Sequence, residues 1–360
     1  MKLTMTPLLL ILPLILLSPY FLCGEENENE GVGTITFIEG TCQIREEDGE
    51  YKAAGLDQII YSTDTVKTLE GSEAEITLSD GNVVKITEDS EVTLNNWQVR
   101  EESHTDIGIL FGSIKLFIKR LSREKDEFSV NTATVTAGVR GTEFDVSLRE
   151  DGEVLINVEE GSVETDFDGT AYTITKGNAS VYSLEGLRKD YKGRIEYMQW
   201  RREALERIKE NPELFLKRML TRERMIIARL IKSKERMDQY RNDFAVFLKK
   251  VQYLHQRKMY RQERALIIQQ VEKTRRALGF FIVARRQLVG IRSIIVLAGR
   301  IEMQLEPEAA VRLPSLLELR REYRRITFVI TKINEADRKL RGVLFLLNRR
   351  LDELNRLIGE

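Results

Sequence analysis

Residues 130–164 decide the fold, and they read VNTATVTAGVRGTEFDVSLREDGEVLINVEEGSVE. Apolar and polar residues alternate over Phe144–Arg149, which is the period of a half-buried strand. Asp151-Gly152 follows, and we expect both residues to take positive φ in a tight hairpin turn. Glu160-Gly161 indicates a further turn after the second strand. The stretch therefore predicts antiparallel strands joined by short turns.

A glycine motif precedes the first of these strands. Gly138 and Gly141 flank Val139-Arg140, and we expect the backbone at both glycines to bend or to approach a neighbour closely. Arg140 is either a buried guanidinium that ties loops together or an exposed group that binds an anion. Thr142 and Phe144 complete the motif as structural or binding residues.

Strand-like runs continue through residues 31–183, a region without proline. Asp-Gly pairs separate them at Asp48-Gly49, Asp80-Gly81, Asp151-Gly152 and Asp168-Gly169. Many short strands with recurring turn signals are typical of an all-β domain. The pattern leaves both a sandwich and a short β-roll open.

The sequence TATVTAGVRGTEFDV, followed by DGEV and EEGSVE, resembles the FecR domain of bacterial envelope proteins. Upstream runs such as GVGTITFIE, AEITLSDGNVVKI and LFGSI match earlier strands of that domain in order, so the resemblance covers about residues 31–183. It implies an exported β domain that contacts proteins or envelope components. The best-known members are inner-membrane regulators with a cytoplasmic segment, and we expect no such segment here.

The N-terminal sequence is the reason why we expect no cytoplasmic segment. Lys2 and the apolar run Pro7–Leu22 predict a signal peptide over residues 1–23, followed by an acidic linker over 24–30. Cys23 is a candidate for lipidation, although Leu22 is larger than the residue that usually precedes a lipidated cysteine. A lipid anchor, a soluble exported protein and an uncleaved anchor all remain open. The second cysteine, Cys42, is expected to be a buried small apolar residue.

Charge divides the chain into two parts. Residues 24–183 carry 34 acidic and 13 basic side chains, whereas residues 184–360 carry 23 acidic and 42 basic ones. This asymmetry predicts a β domain over 31–183 and a basic α-helical domain over 184–360. The two parts are expected to attract each other or to bind separate partners.

The second part predicts an elongated helical bundle or coiled coil. Asn211-Pro212 is typical of a helix start, and apolar residues then recur at heptad spacing from Ile226 to Leu254. No glycine or proline lies between Pro212 and Gly279, so the first hairpin turn falls near His255–Gln262 or the helix is very long. A second seam runs to the C-terminus and includes Leu340, Leu344, Leu347, Leu351 and Leu354. Its length predicts a homo-oligomer through the last helix.

The sequence predicts no catalytic residue, no cofactor and no metal. His104 and His255 are the only histidines, and no zinc spacing, phosphate-binding glycine loop or nucleophile motif is present. The carboxylates of the β region are interpreted as a solvated acidic surface. Arginine pairs such as Arg201-Arg202 and Arg285-Arg286 are interpreted as salt-bridged flanks of the helical seams, since export argues against nucleic acid. Binding of anionic envelope polymers or lipid head groups is the next alternative.

The leading hypothesis is therefore a non-enzymatic, exported envelope protein. Its FecR-like module binds a protein or an envelope component, and its helices form an assembly or spacer domain. The expected partner of the whole protein is an envelope protein or an anionic polymer. One alternative is a sensor subunit that works with a separate signalling protein. Another is a carbohydrate-active enzyme.

Overall fold

The structure is a computed structural model that describes residues 31–46, 49–99, 102–119, 127–139, 141–305 and 313–358. The predicted signal peptide with Cys23, the linker over 24–30 and Arg140 lie outside the described residues. Export, lipidation and the role of Arg140 therefore stay predictions.

Seventeen strands lie in the described part of the first half of the chain, as the predicted all-β region requires. They are β1 (Gly33–Glu39), β2 (Cys42–Arg45), β3 (Lys52–Ala53), β4 (Ile59–Ile60), β5 (Thr65–Thr68), β6 (Glu73–Leu78), β7 (Val83–Ile86), β8 (Ser90–Val99), β9 (Glu102–Phe117), β10 (Glu127–Asn131), β11 (Val135–Val139), β12 (Glu143–Leu148), β13 (Val154–Glu160), β14 (Ser162–Phe167), β15 (Thr170–Thr175), β16 (Asn178–Tyr182) and β17 (Arg188–Lys192).

The strands form two sheets. Sheet 1 has the order β4-β1-β6-β7-β9-β12-β13-β16-β17. Sheet 2 has the order β3-β2-β5-β8-β9-β10-β11-β14-β15. Neighbouring strands are antiparallel except β9 and β10, which are parallel.

Strand β9 belongs to both sheets. Up to Phe111 it pairs with β8 in sheet 2, and from Gly112 onward it pairs with β12 in sheet 1. Gly112 has a φ of +92°, and a Cβ at this position would lie 2.5 Å from the Cα of Ser90. A residue with a side chain fits neither constraint, so glycine allows one strand to leave one sheet and enter the other.

The two sheets face each other across an apolar interior. Phe167 of β14 packs edge to face on Tyr182 of β16, with ring centroids 5.0 Å apart. The hydroxyl oxygens of Thr165 and Tyr182 lie 2.8 Å apart, so a hydrogen bond also joins the sheets. Of the two alternatives that the sequence left open, these contacts favour a sandwich, in which the sheets share one strand.

Four helices follow among the described residues: α1 (Tyr197–Glu210), α2 (Pro212–Gln256), α3 (Tyr260–Met303) and α4 (Pro314–Ile358). Asn211 caps α2 as expected, because its side-chain oxygen accepts a hydrogen bond from the N–H of Leu214 at 3.2 Å. The first hairpin turn lies at residues 257–259, inside the range that the sequence offered. Within the described residues, none of these helices has the length and apolarity that a bilayer span requires.

The described chain divides into two compact units. The β unit contains the strands, the chain up to Ile226 and Arg286–Arg325. The helical unit contains Ile227–Arg285 and the chain from Ile326 onward. The β unit therefore includes α1 and parts of the other helices, and β17 lies beyond residue 183. The predicted boundary at residues 183 and 184, as a division into separately folding parts, stays a prediction.

Helices cover parts of the sandwich within the β unit. Trp200 of α1 packs on Leu155, Ala179 and Val181 of sheet 1. On β9, Ser293 of α3 donates a hydrogen bond to the carbonyl of Ile109 at 2.8 Å. The apolar contacts of α1 are buried, so this helix forms part of the core of the β unit.

The helical unit buries the predicted seams within one chain. Buried residues include Phe247 and Leu254 of α2 and Ile267 of α3. From the C-terminal seam, Leu340, Leu344, Leu347 and Leu354 are buried, and Leu351 is half-buried. Because the seam already has a partner face in its own chain, its length no longer argues for a second copy. Homo-oligomerisation stays a prediction.

Helices α2 and α4 also enclose an ionisable side chain in the β unit. Glu223 of α2 is 0% exposed, and neither of its carboxyl oxygens has a hydrogen-bond partner among the described residues. Burial, with the charge of Glu322 as a second cause, raises the pKa of Glu223 to about 8. The folded state therefore holds this carboxyl protonated at neutral pH, and stability is lost as the pH rises towards 8.

We expect Glu223→Gln to remove the decrease in unfolding free energy at high pH. The variant and the wild type should have similar unfolding free energies near pH 5, and by pH 9 the variant should be more stable by about 4 kcal/mol. Urea denaturation at several pH values measures the difference. Glu206→Gln, at an exposed position on α1, is the matched control. A difference between Glu223→Gln and wild type that does not change with pH contradicts the interpretation.

Candidate functional site

The two motif glycines lie in different backbone environments. Gly141 lies in the turn between β11 and β12 with a φ of +71°, a conformation that favours glycine. Gly138 lies inside β11, where a Cβ would meet only the carbonyl oxygen of Glu164, at 3.9 Å. The expected backbone constraint is present at Gly141 and absent at Gly138.

Thr142 and Phe144 hold the turn and the core. The hydroxyl of Thr142 donates to the carbonyl of Ser162 at 3.1 Å, and its N–H donates to the carbonyl of Ile118 at 3.0 Å. Phe144 is fully buried in the sandwich. These contacts give both residues a structural role, and a binding role for the motif stays a prediction.

The loop after β12 differs from its prediction. Residues 149–153, which we call the charged hairpin, connect β12 to β13, and only Gly152 among them has a positive φ. The prediction of a positive φ at Asp151 is wrong. The reason is local: a carboxylate oxygen of Asp151 accepts hydrogen bonds from the N–H of Glu153 at 3.1 Å and from Arg149 Nε at 2.9 Å.

Arg149 is buried at the base of the charged hairpin, with 2% of its surface exposed. Its Nη1 donates to the carbonyl of Trp200 on α1 at 2.7 Å, and its Nη2 pairs with Glu153. The guanidinium carbon also lies 3.9 Å from the ring centroid of Trp200. Arg149 therefore links the hairpin to the first helix through both charge and stacking.

Glu150 is the most enclosed charge of the hairpin, at 0% exposed. Its Oε1 accepts from Arg201 Nε at 2.9 Å and from Arg201 Nη2 at 2.6 Å, and Arg300 Nε lies 3.8 Å away. Both arginines also bind Asp89, at 2.7 Å from Arg201 Nη2 and 3.0 Å from Arg300 Nη1. Two strand-side carboxylates are thus bridged by one arginine from α1 and one from α3.

An aromatic ring lies against both guanidinium groups. The ring centroid of Phe111 is 3.6 Å from the guanidinium carbon of Arg300 and 5.0 Å from that of Arg201. Phe111 and Glu150 are buried, whereas Asp89 is half-buried, so the ion pairs are partly shielded from water. We call the charged hairpin, Asp89, Phe111, Arg201 and Arg300 the arginine junction.

Further ion pairs join helices to strand-side loops within the β unit. They are Arg207–Asp151 at 3.2 Å, Arg218–Glu185 at 2.8 Å, Arg222–Asp168 at 2.7 Å and Arg286–Asp106 at 3.1 Å. The interpretation of the helix arginines as flanks of helical seams is therefore wrong for Arg201 and Arg286. The interpretation of the carboxylates as a solvated surface is wrong for the buried ones, such as Glu150. Opposite charges of the two halves meet inside one compact unit.

A second group of charges lies on β9, β12 and β13. Lys115 Nζ lies 2.8 Å from both Glu143 and Glu159, and Arg194 contacts Glu159 and, at 2.7 Å, Asp145. Burial raises the pKa of Asp145 to about 6, whereas the hydrogen bond from Lys115 holds the pKa of Glu159 below its ordinary value. Neighbouring carboxyls with opposite shifts are a feature of acid–base pairs, but here a cation occupies each carboxylate.

Metal-binding geometry is not found in the described part of the chain, where no group of three histidine, cysteine or acidic side chains is arranged around a shared centre. Cys42 is buried and free, as expected, and burial raises the pKa of its thiol to about 11. His255 lies 3.2 Å from Glu263 in the helical unit, far in sequence from His104.

The arginine junction was not identified from the sequence. Arg149-Glu150-Asp151-Gly152 has the composition of an exposed turn, and nothing local shows that helices bury it. The only sequence signal was the opposite net charge of the two halves. That signal predicts attraction but does not say which arginine meets which carboxylate.

Comparison with known protein families gives a match that includes most of the strand residues of the arginine junction. The family model described as FecR protein matches residues 64–164, which include Asp89, Phe111 and the charged hairpin. Two crystal structures of a candidate anti-sigma factor from Parabacteroides distasonis are similar at 19% identity and a TM-score of 0.32. The similarity covers 36% of this chain and 59% of that chain. The comparison with curated proteins gave no significant match.

The motif glycines provide a matched pair of substitutions. Gly141→Ala should lower the unfolding free energy by about 1–2 kcal/mol, because alanine is strained at positive φ. Gly138→Ala should change it by less than about 0.5 kcal/mol, since the strand accepts a Cβ there. Urea denaturation of both variants provides the measurement. Equal effects of the two substitutions would mean that φ at Gly141 is not the constraint.

Proposed function

Residues 64–164 of this chain are a FecR domain, and we propose that the chain is a non-enzymatic protein of the bacterial cell envelope. In this proposal the β sandwich binds another envelope protein or an envelope component, and the helices serve as an assembly or spacer element. Export through the apolar segment Pro7–Leu22, with lipidation at Cys23, belongs to the same proposal.

The arginine junction is the observation that carries the proposal. The most enclosed charges of the FecR domain, Arg149 and Glu150, are occupied by partners from the same chain. They hold helices in place, because Arg149 binds the carbonyl of Trp200 and one carboxylate oxygen of Glu150 binds Arg201. This supports a scaffold for recognition rather than a catalytic centre.

The carbohydrate-active alternative has less support. Its best candidates are Asp145 and Glu159, whose pKa values shift in opposite directions. One guanidinium, that of Arg194, contacts both carboxylates and lies where a glycosidic bond would have to bind. Release of reducing sugar from envelope polysaccharide, abolished by Asp145→Asn, would favour the enzyme instead.

A sensor subunit is the second candidate, and the junction favours it specifically. Arg201 of α1 and Arg300 of α3 share the same two carboxylates, so a shift of the charged hairpin or of Asp89 changes the contacts of both helices. Such a shared set of contacts can convert a local event on the strands into a change in the helices.

Edge strands offer positions for testing recognition. In the described residues β15 pairs only with β14, and its sequence TAYTIT carries no charge that would discourage contact with another chain. Ala171 and Thr173 are exposed on this strand, whereas Glu206 is exposed on α1.

A photo-crosslinking amino acid at Ala171 or Thr173 should form a defined adduct in the native cell envelope, which mass spectrometry would identify. The same group at Glu206 should not form that adduct. Adducts that appear only at Glu206 contradict recognition by the β sandwich.

The crosslinked partner also allows a test that distinguishes a sensor subunit from a spacer protein. For a sensor, adding the purified partner should change hydrogen exchange in α1 as well as in β15. For a spacer, the change should stay within the strands.

A further inference from the structure

The turn between α2 and α3 carries a basic surface segment of the helical unit. Residues 246–261, which we call the basic tip, read VFLKKVQYLHQRKMYR and contain five lysine or arginine residues and no acidic residue. The tip comprises the last turns of α2, the connection at 257–259 and the start of α3.

One face of the basic tip combines apolar and basic side chains. Val246, Lys249, Lys250 and Tyr253 lie at helical spacings of three and four, so they share a face of α2, and Arg257 follows directly after the helix ends. Val246 is 67% exposed and Tyr253 is 50% exposed, and the lysines and the arginine are exposed as well. The opposite face is buried in the helical unit, so this face is not required for folding.

The positive charge of the tip is not neutralised by the unit itself. Among the described residues, no carboxylate forms an ion pair with Lys249, Lys250 or Lys258. The acidic side chain next to the turn, Glu263, is buried and binds Arg350 at 2.9 Å. The tip therefore presents exposed lysines that have no ion-pair partner among the described residues.

We propose that the basic tip binds the surface of a bilayer that contains anionic phospholipids. Val246 and Tyr253 enter the boundary between head groups and acyl chains, where an apolar body and a polar phenol are both accommodated. The lysines and Arg257 extend their aliphatic stems along that boundary and place their charges beside lipid phosphates. This inference is independent of the proposed function of the β sandwich.

The exposed apolar residues favour an anionic bilayer over other anionic partners. An anionic polysaccharide or nucleic acid would neutralise the lysines but leave Val246 in water. A bilayer interface satisfies both kinds of side chain at once. A loss of binding on removal of the apolar side chains therefore distinguishes a lipid surface from a polyanion.

The test is co-sedimentation of the full chain with vesicles of phosphatidylcholine alone or with added phosphatidylglycerol. The apolar N-terminal segment is common to all variants, so the variants are compared with one another. Lys249→Glu with Lys250→Glu should weaken binding to the anionic vesicles at least about tenfold. The matched control is Lys209→Glu with Lys217→Glu, at two exposed lysines of the β unit, and it should bind like the wild type.

A second variant tests the apolar part. Val246→Ser with Tyr253→Ser should also weaken binding to the anionic vesicles, while binding to heparin, a lipid-free polyanion, stays unchanged. Both positions are exposed, so the helical content by circular dichroism should not change. Wild-type binding without preference for anionic vesicles overturns the proposal, as does an equal loss in the matched control. Unchanged vesicle binding by the serine variant overturns it in favour of an anionic polymer.

Discussion

The carboxylate of Glu150, held away from water by Arg201, is the interaction on which the β unit depends. Removing a charge from water costs several kcal/mol, and only charged hydrogen bonds in good geometry offset it. Here the offset comes from two hydrogen bonds to one guanidinium, from Arg300 nearby and from a shared second carboxylate, Asp89. The arrangement is stable only as a whole, because a single missing partner leaves a buried charge alone.

The uneven charge of the chain is used at this site. Residues 24–183 are acidic overall and residues 184–360 are basic overall, and at the arginine junction the carboxylate of Glu150 is buried against a basic helix residue. Contacts of this kind hold α1 and α3 against the strands within the β unit.

Much of the fold could be predicted, because it follows from local patterns. Three predicted features depend on residues close in sequence, and the structure contains all three. They are the alternating strands, the helix start at Asn211-Pro212 and the range of the α2–α3 turn. The arginine junction depends on pairs such as Glu150 and Arg201, which lie 51 residues apart. Local chemistry cannot identify such partners, so a buried ion pair was interpreted as surface. A further expectation failed at Gly138, because a glycine pattern does not show which glycine has positive φ.

A double-mutant cycle between Glu150→Gln and Arg201→Met tests the central claim most directly. Each single variant should lower the unfolding free energy by about 3 kcal/mol, since it leaves the partner charge buried. The double variant should lose at least about 1 kcal/mol less than the sum of the two losses. The same cycle with the exposed neighbour Arg202 should show no coupling. Additive losses for Glu150 and Arg201 would contradict the account, because the two side chains would then act independently.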